Sequence, residues 1–590
     1  PVVYVVAASA DNPDKAKLFF KVFIVAAVVT VLAYLFVAYR HYIFQLYRLE
    51  SKGPSVFQYV MTAGGLMSFV TIILFAFVIN EKTGWKIKVL LIASFFIAAI
   101  GLISSYTRAA WIGAIAGIIF ILIMKKKWLY LTPLVLGVFL LIIISKKESK
   151  VWVYSIEGKP DIANSFSTNG RAVSIESYDD YLYIADYEEG IKVVDSKGNV
   201  FQRLETEAPA TRIHRWNNNY LLIYLIDSRF KVAEILADGK LKIIANSLTP
   251  GLTRDMEFTK GRFYTADYDS GLTVYNNPEQ LSDKFRLLDE EGIVRVYSDS
   301  SYVTLYNLKE NALKVYLQKE RNQLSFMDSI KIVTPTYYVW QHNSTIFFQS
   351  DNSLLQYEIK ANKLNLVKKH TIRGIFQLVN VDSVIYGSTV DGKFYKSVTK
   401  NNTTVQFDLM FDLQKNVTDF TIANGRLIVS TLKLNRLASI IDPYHETNIE
   451  RLHLWSTGLK IFLDYPILGV GDIDLGKIYS EYKPKYVKEN YGHLHNNYIH
   501  FLVILGSIGF IIVIFMFYKI FVLNLKIYKT LKEVEFASSY ALGALGAFVG
   551  FLVSGLAEWN FGDQEIITMV WFTLGLNIAF YKSYLNNKPE

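Results

Sequence analysis

The chain has 590 residues, no cysteine and a formal net charge of +9. Without cysteine, disulfides, thiolate metal centres and cysteine nucleophiles are excluded. Half of the residues are hydrophobic and 15% are aromatic, but the apolar ones gather at both ends around a polar, Tyr-rich middle. The lysines fall in short segments between apolar runs, the way a membrane protein marks its cytoplasmic side, so the charge implies a lipid bilayer and no nucleic acid.

The first ten residues, "PVVYVVAASA", read like the tail of a preceding apolar span, and the chain reads as lacking earlier membrane helices. A span needs about 20 apolar residues. Five are expected in an N-terminal block over 1–145, at 17–39, 56–80, 87–105, 109–124 and 128–145. With the lysine-bearing "DNPDKAK" (11–17), "EKTGWKIK" (81–88) and "KKK" (125–127) inside, alternation puts 40–55, 105–108 and everything from 146 to 498 outside. Arg40, Arg48, Lys52 and the lysines of 145–150 run against that rule.

From about 151 to 443 the hydrophobic period becomes two and the segments shorten to strands. Strand-and-turn starts recur at 179–200, 218–227, 260–269, 300–307, 343–351, 382–390 and 424–431. Their spacing of about 40 residues is one four-stranded propeller blade. Seven blades are expected, six being the alternative, with "VWVYSIEG" (151–158) lending the last blade its outer strand. The early blades weakly resemble LVIVD-type repeats, "GIKVVD" (190–195) being the nearest match. The propeller reads either as a platform for an envelope partner, sugar or peptide, or as a rigid spacer. The acidic pairs in its turns are turn chemistry.

An external loop follows over 444–498, then a C-terminal block over 499–590 with spans at 499–518, 537–556 and 565–581. The loop ends in "YGHLHNNYIH", which places His493, His495 and His500 at the mouth of a helix. A metal site from these histidines and Glu489 is weighed and set aside, because i/i+2 spacing suits a strand while the next residues must be helical. On a helix His500 would point about 140° away from His495. "PILGVG" (466–471) is a tight turn and not a phosphate loop, since no Lys-Ser/Thr follows.

Read in order, several motifs resemble the O-antigen ligase and polymerase-like family of bacterial envelope glycosyltransferases. They are Thr107, Arg108, Trp111 and Gly113; Arg451, Trp455, Pro466, Gly469 and Gly471; His495, Asn496, Gly506 and Gly509; and Glu558, Asn560 and Asp563. "RLESKGPSVFQYVMTAGG" (48–65) looks like an earlier family segment. The resemblance covers both membrane blocks and not the propeller. It implies a multi-span α-helical membrane protein of about eight spans in the bacterial inner membrane, with the inserted propeller and the active site outside the cytoplasm. It implies an enzyme without cofactor or metal whose donor is a polyprenyl-diphosphate-linked glycan and whose acceptor is a hydroxyl of a lipid, glycan or protein. His495 would be the base with Asn496 beside it. Arg108, Arg451 and Arg48 would hold the diphosphate, for which a planar, permanently charged guanidinium is suited; snorkelling to headgroups is the other reading of Arg108. Glu558, Asp563 and Asn560 would orient the arginines or the acceptor, or cap the last span. A repeat-unit polymerase needs the same groups, and a non-enzymatic anchored receptor or scaffold is the rival of another class.

Overall fold

The computed structural model describes residues 2–44, 60–80, 82–144, 148–156, 160–216, 218–259, 261–299, 301–319, 323–332, 338–350, 353–400, 404–433, 438–471 and 474–586. Arg48, one of the arginines singled out above, lies outside the described residues, as does most of 48–65. The chain forms two compact units. One comprises Pro1–Ile144, Thr447–Lys483 and Asn490–Glu590; the other comprises Ser145–Glu446 and Pro484–Glu489.

The first unit is helical. Its elements are α1 (Val2–Ser9), α2 (Pro13–Phe44), α3 (Val60–Asn80), α4 (Trp85–Ser104), α5 (Arg108–Met124), α6 (Trp128–Ile144), α7 (Glu446–Asp464), α8 (Leu475–Tyr482), α9 (Asn497–Thr530), α10 (Glu535–Ser554) and α11 (Gln564–Asn586). Each expected span overlies one helix. Among the described residues six of them (α2, α3, α4, α9, α10 and α11) are long and apolar enough to cross a membrane, while α5 and the Trp128–Leu140 part of α6 are shorter apolar helices. Among the described residues, six helices of spanning length and two shorter apolar ones stand where eight spans are expected. α3 and α10 form the centre, and α10 is rich in small residues that let its neighbours approach closely. A side chain at Gly113 or Gly117 of α5 would lie 2.6 or 2.7 Å from the carbonyl oxygens of Gly550 or Gly546 in α10.

The second unit is a propeller of seven four-stranded antiparallel sheets. All seven expected starts fall on the second strand of a blade, from Tyr181–Ala185 to Arg426–Lys433. The ring closes as anticipated but with one difference. Glu148–Ser155 pairs with Arg426–Lys433 as the third strand of the last blade, and Asp161–Ser167 lies outside it. Closing a blade with strands from both ends of the domain ties the termini of the ring together, so it cannot unzip from either end alone.

The inner strands line the axis of the ring and contact one another in turn. They carry charge. Asp255 accepts from Arg212 Nη1 at 2.6 Å and from the Val296 amide at 3.1 Å, and lies 3.3 Å from Arg295 Nη1. Asp419 accepts from the Ile175 amide at 2.9 Å and from Gln377 Nε2 at 2.6 Å. Each carboxylate thus links neighbouring blades. Glu257 stands near Asp255, and burial followed by repulsion from Asp255 pushes its carboxyl up to about 8. A carboxyl raised on folding binds a proton in the native state that the unfolded chain has released. Stability is therefore lost as pH rises from the ordinary range, near 4.5, through about 8. Glu257→Gln should flatten this slope: the variant's melting temperature should exceed that of the parent at pH 8.5 and match it at pH 5, as read by circular dichroism.

Candidate active site

The helix-opening chemistry of α9 places the histidine segment. Asn496 is the N-cap: its Oδ1 accepts from the Tyr498 and Ile499 amides at 2.9 and 3.0 Å, and its Nδ2 donates to the Leu556 carbonyl at 2.7 Å. The cap ends the extended chain before it and starts the helix after it. His493 and His495 therefore lie on non-helical backbone, and His495 takes a positive φ of 45°. The i/i+2 spacing that disfavoured a shared site on a helix now brings the two rings to 4.2 Å.

His495 Nδ1 and Glu558 Oε1 are 2.6 Å apart. The other carboxylate oxygen lies 3.8 Å from Arg451 Nη2. All three side chains are mostly buried, at 17%, 13% and 19% exposure. Burial alone would raise the Glu558 pKa, but the His495 hydrogen bond and the His495 and Arg451 charges bring it below its ordinary value. A carboxylate at Nδ1 holds the proton there and leaves Nε2 as the basic atom. Nε2 makes no hydrogen bond among the described residues. Burial, then the adjacent His495, push the His493 imidazole down, so it stays neutral.

Arg451 sits on α7, and Arg108 at the start of α5 donates from Nη2 to the Thr447 hydroxyl one turn earlier on the same helix. Positions four apart share a helix face, so α7 collects both arginines. Trp455 of α7 donates to the Leu494 carbonyl at 3.1 Å and fixes the chain between the two histidines. Pro466–Gly471 is the expected tight turn, and it is pinned to a break in α9. At Gly506 (φ 61°) the helix opens, and the Gly471 amide donates to the Ile504 carbonyl at 2.9 Å. A side chain at Gly469 would lie 2.5 Å from the Gly506 nitrogen, so glycine is required at that approach.

The remaining candidates divide. Asn560 is buried, accepts from Asn497 Nδ2 and donates to Ser554 Oγ at 2.6 Å, bracing the turn that carries Glu558. Asp563 caps α11 through the Ile566 amide at 3.2 Å and takes the Thr62 hydroxyl. Neither touches Arg451. His500 lies against Trp559, with ring centroids 3.7 Å apart and planes tilted by 38°. Glu489 belongs to the propeller unit and pairs with Arg254. Glu558 and Asn560 line a recess with Thr107, Ser68 and Ile566.

Two features escaped sequence reasoning. One is the pairing of His495 with Glu558, which are 63 residues apart. The other is His493, whose His-x-His spacing on extended chain was the available signal. His493, His495 and Glu558 also present ligand atoms within 4.8 Å of one another, a donor set able to take a divalent cation. The guanidinium of Arg451 beside the same carboxylate already supplies positive charge there.

A bundle of apolar helices with this polar cluster beside it defines a multi-pass membrane protein. Residues 403–514 match the family profile described as O-Antigen ligase. That stretch runs from the outer strand of the sixth blade through Arg451 and His495 and ends before Glu558. The match over that stretch supports a ligase- or polymerase-like membrane glycosyltransferase. No curated protein matches the chain. Among solved structures, it is similar to BamB from Moraxella catarrhalis, at 10% identity over 48% of this chain and 91% of that one, TM-score 0.33. Sqt1 of Saccharomyces cerevisiae is similar at 14% identity over 47% and 88%, TM-score 0.36. So is the periplasmic gluconolactonase PpgL of Pseudomonas aeruginosa, at 11% over 46% and 96%, TM-score 0.35. At these identities and scores they add nothing to the strand topology already described.

Proposed function

We propose that the protein moves an oligo- or polysaccharide from a polyprenyl-diphosphate carrier to an acceptor hydroxyl at the outer face of the bacterial inner membrane. The observation that carries this reading is the His495–Glu558–Arg451 cluster, lying in and next to the matched segment. His495 Nε2 takes the proton of the acceptor hydroxyl as its oxygen attacks the anomeric carbon. The bond from that carbon to the diphosphate oxygen breaks, and the lipid diphosphate leaves with the electron pair. Arg451 and Arg108 stabilise the charge that gathers on the leaving group. Glu558 holds the His495 tautomer and stabilises the imidazolium while it lasts. Asn496, Asn560 and Asp563 position the backbone around the cluster.

Loss of the protein should leave its donor on the carrier. In a deletion strain, mass spectrometry of lipid-linked glycans should show accumulated long polymer for a ligase and single repeat units for a polymerase. A carrier pool identical to that of the parent strain would reject both. The chemistry needs no metal. Transfer in a purified system should be unchanged by EDTA, and a loss restored by added zinc would reassign His493, His495 and Glu558 to a metal centre.

A further inference from the structure

α7 is not a spanning helix. It carries Glu450, Arg451, Lys460 and Asp464, and it is not one of the six helices long and apolar enough to cross a membrane. One face, with Leu454, Thr457, Gly458 and Ile461, is buried in the helical unit. On the opposite face Leu452, Leu459 and Leu463 are exposed, Leu463 by 72%. At 3.6 residues per turn these three leucines fall within about 40° of one another. Ser456, Lys460 and Asp464 form one flank of the stripe, and Trp455 and Phe462 edge the other, with Arg451 beyond them.

The stripe does not end with the helix. Ile467 and Leu468 follow, Leu468 again exposed by 72%. Their turn is bonded to the break in α9: the Ser507 amide donates to the Pro466 carbonyl at 2.8 Å and the Ile508 amide to the Ile467 carbonyl at 3.3 Å. Just past that break Ile508, Ile511, Ile512 and Phe515 are exposed on one side of α9. α9 has spanning length and composition, so that side faces acyl chains. The exposed apolar surface of α7 and its turn therefore continues the lipid-facing surface of a spanning helix. A contiguous apolar patch of this kind marks an interaction surface, and its continuity with α9 identifies the occupant as lipid.

We propose that α7 and the Tyr465–Leu468 turn lie in the surface of the bilayer beside α9, with Leu452, Leu459, Leu463, Ile467 and Leu468 among the acyl chains. An amphipathic helix settles with its apolar face about 5–10 Å into the boundary between headgroups and acyl chains. Lys460, on the polar flank, reaches back to lipid phosphates. Asp464 accepts from the Tyr482 hydroxyl at 2.6 Å, so its carboxylate has a partner in the protein. Arg451 then rides near the depth of the lipid phosphates, where the diphosphate of a membrane-held carrier lies; only this last consequence rests on the proposed function.

The chain has no cysteine, so a single introduced cysteine is a unique attachment point. Leu459→Cys, Lys460→Cys, Leu463→Cys and Leu468→Cys, each in full-length protein, are labelled with a nitroxide. The proteins are placed in vesicles of phosphatidylethanolamine and phosphatidylglycerol. Electron paramagnetic resonance then compares relaxation by oxygen, which concentrates in the bilayer, with relaxation by a water-soluble nickel chelate. Ile511→Cys on α9 is the lipid standard, and Asp238→Cys, exposed in a propeller hairpin, is the water standard. The oxygen-to-nickel ratio at Leu459, Leu463 and Leu468 should approach that of Ile511→Cys and exceed that of Asp238→Cys several-fold. At Lys460 it should fall back toward the water standard. Ratios at the three leucines equal to that of Asp238→Cys would overturn the proposal. Low access to both reagents would overturn it too, and disulfide cross-linking of unlabelled Leu463→Cys between two molecules would then name a second copy of the chain as the occupant. The readout needs no transfer, so it stands whether or not His495→Ala loses activity.

Discussion

His495→Ala should abolish glycan transfer, with a loss of about 10²–10⁴-fold in kcat, while the protein still inserts and runs as a single species on gel filtration. The Asn496 side chain, not the imidazole, starts α9, so alanine keeps the cap and forfeits the Glu558 bond and the His493 ring contact. The substitution also leaves Glu558 paired with Arg451 alone. His495→Gln should be nearly as inactive, because an amide fills the space and bonds to Glu558 but cannot accept a proton at neutral pH. The check is the initial rate at saturating donor, with expression and melting temperature measured beside it.

Arg451→Ala should lose about 10²–10³-fold in kcat, the usual scale for removing one charged donor from a developing negative charge. Arg451→Lys should recover little of it. A lysine offers a point charge where the proposed diphosphate would take the planar fork, and its ammonium is more strongly hydrated. Among the described residues the arginine Nε and Glu558 Oε2 are buried without a hydrogen bond. If the defect lies in leaving-group stabilisation, the variant's kcat should fall more than its affinity for donor, and the ratio of the two is the measurement.

The propeller was the most legible part of the fold. Strand periodicity and a recurring turn step depend only on local sequence, and each blade repeats them, so "DDYLYIAD" and "NGRLIVST" fell on the same strand of different blades. Helix positions were equally plain, since apolar length needs no partner. The span count is less plain, because α5 is 17 residues long and packs through Gly113 and Gly117 against α10. At the site, the sequence located His495, Asn496 and Arg451 but not the contacts that hold them. Asn496 reads as a partner of His495 because it follows it, yet a residue that caps a helix turns its side chain to the backbone. The true partner, Glu558, arrives from the loop after α10, and nothing local joins two residues so far apart. His493 was discounted by helical geometry that does not begin until Asn497.

The most direct test reconstitutes the purified protein with a polyprenyl-diphosphate glycan and an acceptor, and follows release of the free carrier by chromatography. The parent protein should release carrier and lengthen or glycosylate the acceptor in equal amounts, and His495→Ala should do neither. Carrier release by His495→Ala at the parent's rate, or none by the parent protein, would contradict the account.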